Sequence, residues 1–516
     1  MSRTSRAADI PLTTGGAGAL AGLPLPQLRS AALERAQALR CSHAEVRVEQ
    51  IRSQFVALRD GRVETTVDDT EVGVGLHVVR DGSFGFAATV ELDPDAAARL
   101  ADDAAELAQR SSAALGTPVE IADEPPHGEV EWASPYEVDP TTVSLADKVA
   151  VLEDWSRRLL ASGSVDHVSA RVMCVVEDKH YADLSGTVTT QRRVRIYPLV
   201  DAVAVDEASG SFESMRTLAP PAGRGWEYTA GRGWDWDAEL ETIPSLLAEK
   251  VAAPSVEAGR YHLVIDPSNL WLTIHESVGH ATELDRALGY EAAYAGTSFA
   301  TFDQLGTLRY GSPVMHVTGD RTTPHGLASV GYDDEGVEAQ SFDIVRDGVL
   351  VGYQLDRRMA AENGLGRSNG CAFADSPLHV PMQRMANVSL QPAPGPGPGP
   401  STEELISGVD RGIYVVGDKS WSIDMQRYNF QFTGQRFYRI EHGRLAGQCK
   451  DVAYQAQTTE FWGSLAAVGG PATYVLGGAF NCGKGQPGQV APVSHGCPSA
   501  LFGDINVLNA RAEGAR

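Results

Sequence analysis

His275, Glu276 and His280 fall within six consecutive residues, His-Glu-Ser-Val-Gly-His, near the middle of a chain of 516 residues. A neutral imidazole binds a divalent cation such as zinc, and a neighbouring carboxylate can take a proton from water activated there. In the common zinc helix two histidines four residues apart share one face. Here the step is five, from 275 to 280. At 3.6 residues per turn, that step leaves the two side chains roughly 140° apart on a regular helix, too far to share one ion. The spacing therefore predicts a π-turn between His275 and His280, within a helix from about Leu270 to Leu288, because an i→i+5 hydrogen bond returns both to one side. Two other readings remain open: a pairing of Glu276 with His280, four apart, and packed or capping histidines with no ion at all.

A site with two histidines needs a third protein ligand. Cys482 lies in the glycine-rich segment Gly477–Gln489, where backbone can approach an ion closely and Lys484 would favour a thiolate. Cys497, in Ser494-His495-Gly496-Cys497-Pro498, is the second candidate. Residue chemistry alone does not separate them.

The elements that must position these groups are expected as follows. Residues 1–22 are rich in Ser, Thr, Gly and Ala without periodicity and read as a mobile N-terminus. An α+β domain over 23–125 opens with a helix at Leu28–Arg40. Alternating strands follow, with Asp60-Gly61 and Asp81-Gly82 as tight hairpin turns, and a second helix spans Ala96–Ala114. The Pro-rich stretch Thr117–Pro140 links to a middle α+β region over 135–252, with helices at Ser144–Ser162 and Ala238–Ala252 around strand-like runs. The aromatics of Gly223–Tyr228 and Gly231–Trp236 are expected to pack over a domain seam. A C-terminal, sheet-rich domain over 255–516 carries all the chemistry-bearing residues. Its further hairpin tips are Asp347-Gly348 and His442-Gly443, and its Pro392–Pro400 run is expected as an exposed loop. Asp334 and Glu335, in an acidic turn, could orient the histidines, though such residues are more often simply solvated.

The 43 Lys and Arg residues against 67 Asp and Glu leave a formal net charge of −24, which argues against a nucleic-acid-binding face. Six scattered cysteines do not read as a disulfide framework, and no apolar run approaches the ~18 residues of a membrane span. A cytoplasmic protein without nucleic-acid or membrane partners is expected.

His275–His280, Tyr332–Gly336 (YDDEG), Asn369–Asn387 (NGCAFADSPLHVPMQRMAN) and Cys482–Pro498 (CGKGQPGQVAPVSHGCP), with the earlier Gly73–Thr89, together resemble the TldD/PmbA family of metallopeptidases, first described as modulators of DNA gyrase. The likeness covers most of the chain. It implies that His275, His280 and Cys482 hold one divalent metal, zinc being the best fit, with Glu276 as general base. It points to the catalytic TldD type, since the inactive paralogue lacks the His-Glu-x-x-x-His motif. It also implies an α+β fold of antiparallel sheets with helices followed by a sheet-rich domain carrying the metal site. A PmbA/TldE-like paralogue would be the heterodimer partner, or a homodimer would replace it. Substrates would be unfolded peptides or small unstable proteins entering as extended strands. Arg384 and Asn387 would contact substrate. One departure is the segment Cys482–Gln489, longer than the CGKxGQ form of some members, which bears on loop geometry. A non-catalytic binding subunit is the alternative reading, although such a subunit has no chemical need for His, Glu, His and Cys together. A redox or metal-storage protein would be expected to show Cys-x-x-Cys spacing, which is absent.

Overall fold

The computed structural model describes residues 18–112, 118–206 and 210–514; most of the expected mobile N-terminus lies outside them. The first half is organised by two very long hairpins. β1 (His43–Arg59) turns at Asp60-Gly61 into β2 (Arg62–Arg80), which turns at Asp81-Gly82 into β3 (Ser83–Thr89). Both residues of each turn have positive φ, 50° and 75° in the first and 50° and 72° in the second. This is the conformation that Asp-Gly tolerates and that matches the strand twist. After α2 (Pro94–Ser112) and β4 (Glu129–Ala133), the pattern repeats with α3 (Leu145–Leu160), β5 (His167–Asp183), β6 (Val188–Asp206) and β7 (Ser211–Arg216), closed by α4 (Trp236–Ala252).

The stretches expected as two regions share one sheet, in the order β3-β2-β1-β5-β6-β4 with β7 on β6. β1 pairs antiparallel with β5 from Glu45↔Asp183 to Arg59↔Ser169, so the Pro-rich linker separates two parts of one layer. Alternation along β1 sends Ala44, Val46 and Val48 into a core with α2 and the first helix, α1 (Leu25–Ala38), and Val56 and Leu58 into a core with α3 and α4. The aromatics expected at a seam partly belong to this second core: Trp236 stacks on Trp155 with ring centroids 4.5 Å apart.

The opposite face of the sheet is charged. Glu49 and Arg47 of β1, Glu177 and Lys179 of β5 and Arg193 and Arg195 of β6 are all buried, because this face is covered by the C-terminal half. Asp334 reaches across to accept from Lys179 Nζ at 2.5 Å. Arg193 donates to the Leu327 carbonyl at 2.8 Å, and Arg47 donates to the His379 carbonyl at 2.7 Å. Asp334 and Glu335 are thus occupied away from the histidines, Glu335 accepting the Arg357 N–H at 2.8 Å. The orienting role considered for them passes to other groups.

In the C-terminal half, β8 (Gly259–Ile265) lies between β9 (Arg411–Ile423), parallel to it, and the antiparallel strand Ala500–Asn509. That strand pairs with Val452–Gln457, which pairs with β10 (Asn429–Glu441), and β10 pairs back to β9. The ring closes on itself, which removes its open edges. A separate hairpin of β11 (Val475–Lys484) and β12 (Gln489–Cys497) forms a two-stranded sheet of its own. From the end of β8 the chain enters α5 (Pro267–Ile274). The Asp266-Pro267-Ser268 break is the start signal of this helix: Asp266 caps it by accepting the Ser268 N–H, and Pro267 occupies the first turn, where it has no hydrogen bond to lose. Asn269 fixes the helix to the ring by donating to the carbonyls of Gly417 and Thr433, each at 3.0 Å.

Candidate metal centre

At His275 the regular helix gives way to a π-turn over His275–Gly279, closed by the His280 N–H on the His275 carbonyl, and a short 3₁₀ turn, His280–Thr282, follows. The i→i+5 bond forms where the histidine spacing required it. The expected continuous helix to Leu288 is instead interrupted at Glu283, which has an extended ψ of 118°. A π-turn leaves backbone carbonyls out of the regular ladder, and side chains receive them here. Ser277 Oγ donates to Thr273 O at 2.6 Å, Thr282 Oγ1 to Val278 O at 2.8 Å and Gln354 Nε2 to Gly279 O at 2.8 Å. The Tyr310 hydroxyl donates to Ser277 O.

The turn brings the His275 and His280 rings to a centroid separation of 4.7 Å. Cys482 arrives from β11, where the register shifts between Ala479 and Cys482, and its Sγ lies 3.6 Å from His280 Nε2. One nitrogen of each histidine and the sulfur all lie within 4.8 Å of one another. Tetrahedral ligation of zinc sets nitrogen and sulfur donors about 3.3–3.6 Å apart, so the three need only close slightly around an ion. The donor types fit as well. Burial holds His275 well below the usual imidazole range and His280 down to about 3, so both are neutral ligands. Burial pushes the Cys482 thiol up to about 11; a coordinated cation is what would release its proton.

Each histidine is oriented through its other nitrogen, as metal-binding imidazoles generally are. His280 Nδ1 donates to Glu283 Oε2 at 2.9 Å, leaving Nε2 toward Cys482. Glu283 is fully buried, and Lys484 Nζ sits 3.1 Å from its other oxygen, 2.8 Å from Asp285 and 2.7 Å from Gln383 Oε1. His275 Nδ1 lies 2.7 Å from His495 Nε2, while His495 Nδ1 donates to the Val388 carbonyl at 2.8 Å. Burial lowers His495 to about 4, so it is neutral with its proton on Nδ1. Its Nε2 must accept from His275, which frees the His275 Nε2 lone pair.

Neither Glu283 nor His495 was identified in the sequence as an orienting group. The His280–Glu283 spacing is the signal that could have found the first; nothing in the sequence links residue 495 to residue 275. Replacing His495 with alanine is expected to weaken divalent-ion affinity by about 10–100-fold, as measured by competition with a chromophoric chelator; unchanged affinity would show that His275 needs no partner. Lys484→Met should lower stability by about 3–5 kcal/mol, because Glu283 would be left as a buried charge without its ammonium partner. Denaturant unfolding of the two proteins checks this.

Glu276 follows His275 and is 5% exposed. Burial raises its carboxyl above the ordinary range, opposed by the Arg427 guanidinium, whose Nη1 donates to Glu276 Oε2 at 2.5 Å. A carboxylate with raised basicity beside a cluster of metal-type donors has the attributes of a general base.

Arg384 and Asn387 are buried, with exposures of 1% and 0%. Arg384 donates to the carbonyls of Cys482, at 2.5 Å, and Gln489. Asn387 donates to Asp320 O and Ser329 Oγ and accepts from the N–H groups of Ala328 and Ser494. The structure thus shows both residues, expected to contact substrate, buried and holding backbone, Arg384 at the carbonyls of Cys482 and Gln489. Cys497 is buried away from the histidines, with its thiol on the Pro267 carbonyl at 3.7 Å.

Residues 258–509 match the family profile of the PmbA/TldA metallopeptidase C-terminal domain, and residues 44–108 match domain 1 of the same family. The chain belongs to the PmbA/TldD family. A relative named simply a metalloprotease, from Methanothermobacter thermautotrophicus, is 27% identical over 471 residues, covering 89% of this chain and 94% of that protein. Two solved structures share the fold. A Thermotoga maritima protein named for modulation of a DNA gyrase superposes with a TM-score of 0.72 at 16% identity, over 94% of this chain and all of that one. TldE from Thermococcus kodakarensis superposes with a TM-score of 0.68 at 15% identity, over 93% and 99%. The PmbA/TldD family fold is therefore the frame in which the His-His-Cys cluster sits.

Proposed function

We propose that this PmbA/TldD family member is a peptidase that holds one divalent ion, zinc by the character of its donors, on His275, His280 and Cys482, with Glu276 as general base. The observation that carries the reading is the convergence of three neutral or ionisable donors, each histidine locked in the tautomer a metal needs, beside a buried carboxylate. Family membership and the metalloprotease name of the relative support it.

When bound, the ion would supply Lewis acidity, polarising the scissile carbonyl and acidifying water. Glu276 takes the proton of the attacking water and returns it to the leaving amine. Arg384 holds the backbone of the strand that delivers Cys482, and His495 and Glu283 keep the imidazoles from turning. Substrates in this reading are unfolded peptides or small unstable proteins, and the TldE-like fold supports a paralogous PmbA/TldE-type partner. All six cysteines are unpaired and buried, which suits the reducing cytoplasm.

Metal analysis of the purified protein, with cleavage of an unstructured peptide measured alone and with the paralogue added, tests the function. Roughly one zinc per chain and zinc-dependent cleavage are expected. Metal-replete protein that cleaves no peptide in either state would overturn it.

A further inference from the structure

The pairing of Glu276 with Arg427 is unusual for a general base, since an arginine in contact lowers the basicity that the role requires. Arg427 also sits where arginine is ill suited. It lies at the tip joining β9 to β10 with φ at 63°, a left-handed conformation that costs a residue with a Cβ about 1 kcal/mol or more and glycine almost nothing. The tip is held in that shape from several sides. Asp424 accepts the N–H groups of Gln426, Tyr428 and Asn429 at 3.1, 2.8 and 3.0 Å. Thr458 Oγ1 donates to Arg427 O at 2.7 Å, and Thr297 N–H donates to Met425 O at 2.9 Å. Such a turn serves to aim one side chain, and it aims the guanidinium at Glu276.

The rest of the guanidinium is not used up. Its side chain is 15% exposed and its Nε is buried with no partner among the described residues. Its charge acts on His275, on His280 and, reciprocally, with Cys482. The Trp421 indole stands on the same carboxylate while remaining 53% exposed, so this side of Glu276 opens outward. A planar cation with a donor to spare therefore sits against the proposed base and within electrostatic range of the three donors, on the side from which a peptide carbonyl could approach.

We propose that Arg427 is a catalytic residue that binds the carbonyl oxygen of the scissile peptide and carries its charge in the transition state, its contact with Glu276 being the resting arrangement. This rests on the peptidase reading above. As water adds, its oxygen bonds to the carbonyl carbon, its proton passes to Glu276, and the C=O π pair moves onto the oxygen. Neutralising Glu276 in that step weakens its hold on Arg427 just as the new oxyanion gains a charge to offer. The guanidinium then turns from one to the other. Collapse re-forms the C=O bond, breaks the C–N bond and delivers the Glu276 proton to the amine nitrogen.

The test uses full-length, zinc-loaded protein, with its paralogue if cleavage needs one, and three variants: Arg427→Met, Arg427→Lys and Arg427→Gly. Loss of one oxyanion donor is expected to lower kcat by about 10²–10³-fold, with KM and zinc content little changed. Arg427→Gly should be more stable than Arg427→Met, because both lose the contact with Glu276 and only the glycine relieves the positive φ, yet be as slow as Arg427→Met. A phosphinic tripeptide, which presents a tetrahedral anion, should lose affinity by the same factor as kcat, while an uncleaved N-methylated peptide binds all variants alike. A turn-forming role alone predicts that Arg427→Gly retains full activity, and that result would overturn the proposal. So would equal phosphinic affinity in wild type and Arg427→Met. Wild-type protein that binds zinc but cleaves nothing sinks the peptidase reading instead, and the phosphinic comparison still reads the oxyanion site.

Discussion

Glu276→Gln is expected to lower kcat by about 10²–10⁴-fold while leaving zinc content intact, because the amide keeps the shape and loses the proton-accepting charge. Retained metal matters to the interpretation, since Glu276 is next to His275 and a collapsed site would be equally inactive. The change has a second, diagnostic effect. Arg427 would keep a neutral acceptor in place of a carboxylate, so the variant should fold with only a modest change in Tm. Activity is read with an unstructured fluorogenic peptide and metal content by elemental analysis. Near-wild-type turnover in the glutamine variant would remove Glu276 from the chemistry.

The second large effect belongs to the third ligand. Cys482→Ser is expected to abolish tight zinc binding and with it cleavage, because a hydroxyl in place of a thiolate removes the anionic, soft donor of the set. Cys497→Ser should retain zinc and most activity, its thiol lying in the hydrophobic core with its hydrogen bond to the Pro267 carbonyl, and should show a stability loss alone. Comparing zinc stoichiometry in the two purified variants separates them. Zinc lost only from the Cys497 variant would reverse the assignment.

Much of the architecture was legible because local chemistry dictated it. Four turns, at Asp60-Gly61, Asp81-Gly82, Asp347-Gly348 and His442-Gly443, could be read from residue pairs that tolerate positive φ, and each has it. The helices α1 to α4 follow apolar periodicity and lie within a few residues of their expected ends. The π-turn was legible for a different reason: two histidines five apart can serve one ion only if the helix is locally widened to take one extra residue in the turn. What could not be read were the contacts made by chain closure. The pairing of β1 with β5 across the Pro-rich linker depends on strands more than a hundred residues apart. Charged residues alternating with apolar ones along a strand do not by themselves reveal what will cover them, and the C-terminal half covering this face turns Glu49, Lys179 and Asp334 into a buried network. His495, Glu283 and Arg427 were missed likewise. A single histidine, glutamate or arginine carries no spacing signal until folding sets it against His275, His280 or Glu276.

The side chains that close the π-turn also decide how the site opens. Amide hydrogen exchange through an irregular helix is usually fast, because local fraying exposes unpaired backbone. In this segment Tyr310, Gln354, Ser277 and Thr282 take the displaced carbonyls, and every residue from His275 to Thr282 is buried. Opening there requires dismantling contacts from two distant parts of the chain, at Tyr310 and Gln354, together with the local Ser277 and Thr282 bonds. Its amides should therefore exchange only through near-global unfolding, and an ion bound between the histidines could leave and return without the helix ever coming apart.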